Sequence, residues 1–152
     1  MAFYSSDQEV IQSALDWLHQ GHRLALVTVG KTWGSSPRPC GSLMVMREDG
    51  IHSGSVSGGC VEEDLLTRFK NAELADNYPT VLDYGVNQQQ ASRMGLPCGG
   101  RLELVIELLQ NASELTELLE NMRTGHSVLR RLCLRTGEVV LETNSQSGDF
   151  QY

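Results

Sequence analysis

The sequence predicts an α+β domain in which a mixed β-sheet with β-hairpins is covered by helices. Three observations predict it. Apolar residues recur at helical spacing in separate segments, Asp-Gly and Thr-Gly pairs divide short β-branched runs, and helical and strand patterns mix without strict alternation. At 152 residues the chain is long enough to bury one core. Residues 1–142 are read as this single domain and 143–152 as a polar C-terminal tail.

Element by element, Ser6-Asp7-Gln8-Glu9 has the S-x-x-E form of a capping box. Val10, Ile11, Ala14, Leu15 and Leu18 follow at helical spacing and Gly21 closes the run, so a helix is expected over Asp7–Gln20. Arg23–Val29 reads as a buried strand. Two prolines and two glycines make Lys31–Gly41 a loop. Ser42–Arg47 and Ile51–Ser55 flank Asp49-Gly50, a hairpin signal. A helix is expected after Cys60 to about Lys70, with Leu65, Leu66 and Phe69 on its buried side. Thr80–Tyr84 is a short strand, Gly85–Gly100 is irregular, and Arg101–Leu108 is a strand. Asn111 caps a helix over Ala112–Arg123, closed by Gly125. Ser127–Arg135 and Glu138–Glu142 form a second hairpin around Thr136-Gly137.

Composition narrows the function. A net charge of −7 offers little attraction to nucleic acid or an anionic membrane, so neither is expected as a partner. No apolar run has the length of a membrane span. MAFYSSDQEV has neither a basic region nor an apolar stretch of a signal peptide, and a cytoplasmic protein is expected. Cys40, Cys60, Cys98 and Cys133 contain no C-x-x-C pair, which argues for free thiols and against a zinc site. Cys40 and Cys133 are read as structural, with Cys133 in the core. The histidines are read as surface or helix-end residues.

Three segments carry chemistry. In Ser55-Val56-Ser57-Gly58-Gly59-Cys60, paired glycines permit positive φ and turn N–H groups towards an anion just before a helix. Cys60 then sits where free N–H groups and the helix dipole favour a thiolate. A tight turn with a small buried cysteine is the competing reading. Glu62, Glu63 and Asp64 are read as first-turn acids complementing the dipole rather than as general bases. In Gly34-Ser35-Ser36-Pro37-Arg38-Pro39, hydroxyls and a guanidinium suit a phosphate, against a solvated surface loop. Pro97-Cys98-Gly99-Gly100 is a second cysteine–glycine turn, and two such turns suggest a shared cleft. Nucleotide-binding glycine fingerprints and a G-x-S-x-G elbow are missing.

Together, G-S-S-P-R-P, G-S-V-S-G-G-C-V-E-x-D and G-L-P-C-G-G-x-L-x-L-x-x-E resemble the N-terminal domain of the XdhC/CoxI family. These are accessory proteins of xanthine dehydrogenase and related molybdenum hydroxylases. The resemblance runs from about Ala2 to Glu107, and more loosely to Glu142. It implies a chaperone, rather than an enzyme, that transiently binds the molybdenum cofactor, as molybdopterin or its dinucleotide form. Such a chaperone assists sulfuration and insertion into a xanthine dehydrogenase/aldehyde oxidoreductase-type hydroxylase. The hydroxylase and a cysteine desulfurase are the implied partners, and a homodimer is a further expectation. Carried over, Cys60 and Cys98 stand near molybdenum or the transferring sulfur. Gly58, Gly59, Ser35, Ser36 and Arg38 hold the pterin phosphate or dithiolene surroundings. Cys40 departs from the family pattern, which has proline there, and the family's Rossmann-like C-terminal domain is missing from the sequence. Two other functions compete. One is a cysteine-dependent enzyme with Cys60 as nucleophile, which needs a nearby base such as His52. The other is a docking or dimerisation module that binds no cofactor.

Overall fold

A computed structural model describes residues 5–33, 38–59, 61–74, 76–84 and 101–143. These form α1 (Ser5–His19), β1 (Leu24–Trp33), β2 (Leu43–Arg47), β3 (His52–Gly54), α2 (Glu62–Lys70), β4 (Thr80–Tyr84), β5 (Arg101–Leu109), α3 (Ala112–Arg123), β6 (Val128–Leu132) and β7 (Val139–Thr143). The α+β class is as expected. Five strands pair in the order β3-β2-β1-β5-β4, while β6 and β7 make a separate hairpin. Every described pairing is antiparallel, where the sequence suggested a mixed sheet.

Strand β1 lies at the centre and is apolar on both sides because both faces of the sheet are covered. Ala25, Val27 and Val29 point to the face where Leu65 and Phe69 of α2 pack, together with Met44, Met46, Leu104 and Ile106. Leu24 and Leu26 point the other way, against Val10, Ile11 and Leu15 of α1 and Leu115, Leu118 and Leu119 of α3. That alternation is the two-residue period of a pleated strand. Leu15 is 8% exposed. Leu15→Ala is expected to cost about 2–5 kcal/mol, the range for truncating a buried leucine. Urea unfolding checks this, and a change below about 0.5 kcal/mol would make α1 peripheral.

Local signals act as their chemistry suggests. The Asn111 side chain accepts a hydrogen bond from the Glu114 amide and so caps α3. Gly21, Gly50, Gly125 and Gly137 all take positive φ where helices end or hairpins turn. Two readings need correction. Strand β1 continues to Trp33, so Lys31–Trp33 are strand rather than loop. A bulge between Val29 and Lys31 lets the strand resume pairing with Glu103–Arg101. Cys40 and Cys133 are both exposed, so Cys133 is not in the core. It lies just beyond the end of β6, at the turn of a two-stranded hairpin, where it is exposed.

The hairpin is tied to the main body by charge. Arg130 on β6 donates twice to Glu107 on β5, at 2.7 and 2.8 Å, and twice to Glu114 on α3, both at 3.0 Å. Glu107 is only 4% exposed. Burial pushes the guanidinium towards losing its proton, but the bonds and charges of Glu107 and Glu114 outweigh this and hold it charged.

Candidate functional site

The segment between β3 and α2 is organised by one carboxylate. Glu62, in the first turn of α2 and 5% exposed, reaches back over the loop that precedes it. One of its oxygens accepts from the Ser55 hydroxyl at 2.6 Å and from the Val56 and Ser57 amides at 2.8 and 2.9 Å. The other accepts from the Ser57 hydroxyl and, at 3.0 Å, from the Gly59 amide. The two serines complete the arrangement. The Ser55 hydroxyl accepts from the Gly58 amide, and the Ser57 hydroxyl accepts from the Val61 amide, each at 2.9 Å.

Gly58 and Gly59 take φ of 74° and 109°, the positive values the Gly-Gly pair predicts, and the amides do turn towards an anion. The anion is the chain's own Glu62. Burial raises this carboxyl's pKa, but the hydrogen bonds from Ser55, Ser57 and Val56 overcome that and bring it down to about 2. Glu62 is therefore ionised at neutral pH. It does more than complement the helix dipole, the role its position suggested; it fixes the loop.

Strand β3 delivers the chain to this loop at an unusually close approach. Gly54, the last residue of β3, has φ of 85°, and a Cβ there would collide with the Leu43 carbonyl oxygen and the Val10 side chain. Only glycine lets α1 lie so near the strand while the backbone turns away. Behind the loop, α2 is braced by the buried Tyr84 of β4. Its hydroxyl donates to Asp64 at 2.8 Å and accepts from Arg68 at 3.1 Å. Burial first, and then the Asp64 carboxylate, raise the phenol's pKa, so it remains a donor.

In front of the loop is an open depression of about 580 Å³ lined by Arg38, His52, Ser55, Gly58, Gly59 and Glu62, with Glu63 and Leu66 at its side. The structure thus brings Arg38, from the β1–β2 connection, together with Gly58 and Gly59. His52, read from the sequence as an ordinary surface residue, is exposed and lines the same wall. Ser35, Ser36, Cys60 and Cys98 lie outside the described residues, and with them the expected convergence of the two thiols. Asp7 of α1 lies close enough for the Arg38 charge to act on its carboxyl. Burial raises that carboxyl's pKa, and Arg38 partly opposes the shift. No group of three or more potential metal ligands occurs among the described residues, and none of the helices there is long and apolar enough to cross a membrane.

A two-faced antiparallel sheet with a Gly-rich loop wrapped around an internal carboxylate defines a small α+β domain with one prepared rim. Residues 17–85 match the XdhC and CoxI family. Over 150 residues it is 33% identical to the molybdenum cofactor insertion chaperone PaoD of Escherichia coli, covering 97% of this chain and 46% of PaoD. It is 29% identical over 126 residues to a Bacillus subtilis protein named as a probable xanthine dehydrogenase subunit, covering 81% of this chain and 34% of that protein. The chain therefore spans half or less of the length of these curated relatives. A crystal structure described as a xanthine dehydrogenase from Bacillus halodurans shares the fold. It has a TM-score of 0.61 and 23% identity, and the match covers 90% of this chain and 45% of that one.

Proposed function

We propose that this chain transiently binds the molybdenum cofactor and assists its sulfuration and insertion into a xanthine dehydrogenase/aldehyde oxidoreductase-type hydroxylase. The observation that carries this reading is the similarity to PaoD along nearly the whole chain. The depression adds chemical support. Its anion-seeking group is the Arg38 side chain, with His52 beside it. The loop amides are already taken by Glu62 and the serines. An anionic ligand end is therefore best met by Arg38, while the loop supplies a rigid wall. In this reading Gly58, Gly59, Ser35, Ser36 and Arg38 surround the cofactor. Cys60 and Cys98 contact molybdenum or the sulfur in transit, a cysteine desulfurase supplies that sulfur, and a homodimer is the working assembly.

The test is anaerobic purification followed by molybdenum and pterin analysis. The native chain is expected to retain both in similar amounts, and Arg38→Ala to lose most of them. Cys60→Ser is expected to impair activation of the hydroxylase. A native chain that carries neither molybdenum nor pterin would overturn the cofactor reading. Full hydroxylase activation by Cys60→Ser would remove the thiol role and favour a docking module.

A further inference from the structure

The β6–β7 hairpin shares no backbone pairing with the five-stranded sheet. Between it and the body lies a cavity of about 490 Å³, with Val128 and Leu129 of β6 on one side and Ile11, Leu26 and Leu118 on the others. The apolar attachment of the hairpin is slight. Val128 and Leu141 are only half-buried against the cluster that α1 and α3 form, and the tip meets the body where Gly137 approaches Pro79. At the base, the His126 amide caps α3 by donating to the Asn121 carbonyl at 3.0 Å, and the exposed Ser127 links that cap to β6. Among the described residues, the side-chain hydrogen bonds between hairpin and body are all made by Arg130, to Glu107 and Glu114. The three side chains are 15%, 6% and 11% exposed.

A joint of this kind parts differently from an apolar one. Separating two apolar surfaces loses their burial, and water returns nothing for it. Separating three buried charges returns each of them to water, and that hydration offsets much of the lost attraction. We propose that the β6–β7 hairpin is a lid over this cavity, latched by Arg130 against Glu107 and Glu114 and pivoting at Ser127. The lid opens while the five-stranded sheet stays folded. When open it bares Ile11, Leu26 and Leu118, and when closed it shields them from one side. The detached hairpin frays, because two strands alone are only marginally stable in water. The device does not depend on what the depression beside α2 binds.

The experiment is native-state amide hydrogen exchange of the full chain, residue by residue, at several low urea concentrations. The amides bonded between β6 and β7 are expected to share one opening, at least about tenfold more populated than the opening that frees the β1 amides. That shared opening should depend weakly on urea, since a lid exposes far less surface than global unfolding does. The triple variant Arg130→Met, Glu107→Leu, Glu114→Gln replaces the latch with an apolar joint. It should suppress the hairpin opening by about tenfold or more, because water no longer rewards separation, and leave β1 exchange within a few-fold of native. Should the triple variant fail to fold, Arg130→Lys keeps the charge but loses the planar fork, and should raise the hairpin opening by about tenfold. Hairpin and β1 amides exchanging through one opening with one urea dependence would make the hairpin a fixed part of the core and overturn the lid. A separate hairpin opening that neither variant changes would overturn the latch.

Discussion

Glu62→Gln is expected to destabilise the chain by about 3 kcal/mol at neutral pH, from the fall of the carboxyl pKa from its ordinary 4.5 to about 2 at about 1.4 kcal/mol per unit. Glutamine keeps the size of the side chain but replaces one acceptor oxygen with an amide that points N–H groups at N–H and O–H donors. Ser57 and Gly59, or Ser55 and Val56, then lose their acceptor. The pH dependence has a definite sign. A carboxyl whose folded pKa is depressed adds stability above its unfolded pKa and loses it as pH falls through the folded one. The gap between native and variant should be constant down to about pH 5 and nearly closed by about pH 2. Urea unfolding of both proteins across that range reads it. A gap of equal size in acid would mean that the charge of Glu62 is not what holds the loop.

The second large effect is at Arg130. Arg130→Met leaves Glu107 and Glu114 facing each other, with side chains 6% and 11% exposed, and no cation between them. Breaking a buried pair from one side costs about 3–5 kcal/mol, because an uncompensated charge remains. Most of that loss should return when Glu107→Leu and Glu114→Gln are added, since an apolar replacement of a whole buried cluster is often neutral. Chemical denaturation of the single and triple variants checks this. Equal instability in both would show that Arg130 acts through packing of its stem rather than through its charge. A loss below about 1 kcal/mol in the single variant would place the cluster in the class of exposed ion pairs.

Much of this fold is written locally. Asn111 before an apolar period, Asp49-Gly50 between two strand runs, and Gly21 after Leu18 each act through neighbours a few residues away, and each element they bound stands where the sequence puts it. What escapes such reading is set by distant partners. Lys31-Thr32-Trp33 has no apolar alternation, and it is strand because Arg101–Glu103 pairs with it past a bulge. Cys133 has the neighbours of a core residue, but it lies past the end of β6 at the hairpin's turn, where it is exposed. At the site, the glycines and Arg38 were legible as residue types suited to an anion. The role of Glu62 was not, because first-turn acids so often serve the dipole alone. A usable signal was present: Glu62 stands three residues after Gly59, the reciprocal spacing of a capping box, with two serines upstream to share the carboxylate.

The tethered carboxylate has a consequence for selectivity. Glycine-rich turns at helix starts with unclaimed amides collect phosphate and sulfate from solution. Glu62 is attached to the very loop it fills, so its effective concentration there is far above that of any dissolved competitor. A bare inorganic anion would have to expel it and strand a charge in a dry environment. The loop is thereby made indifferent to the commonest small anions around it. Discrimination passes to the side chains at its rim, which can distinguish a whole ligand from its charged end alone.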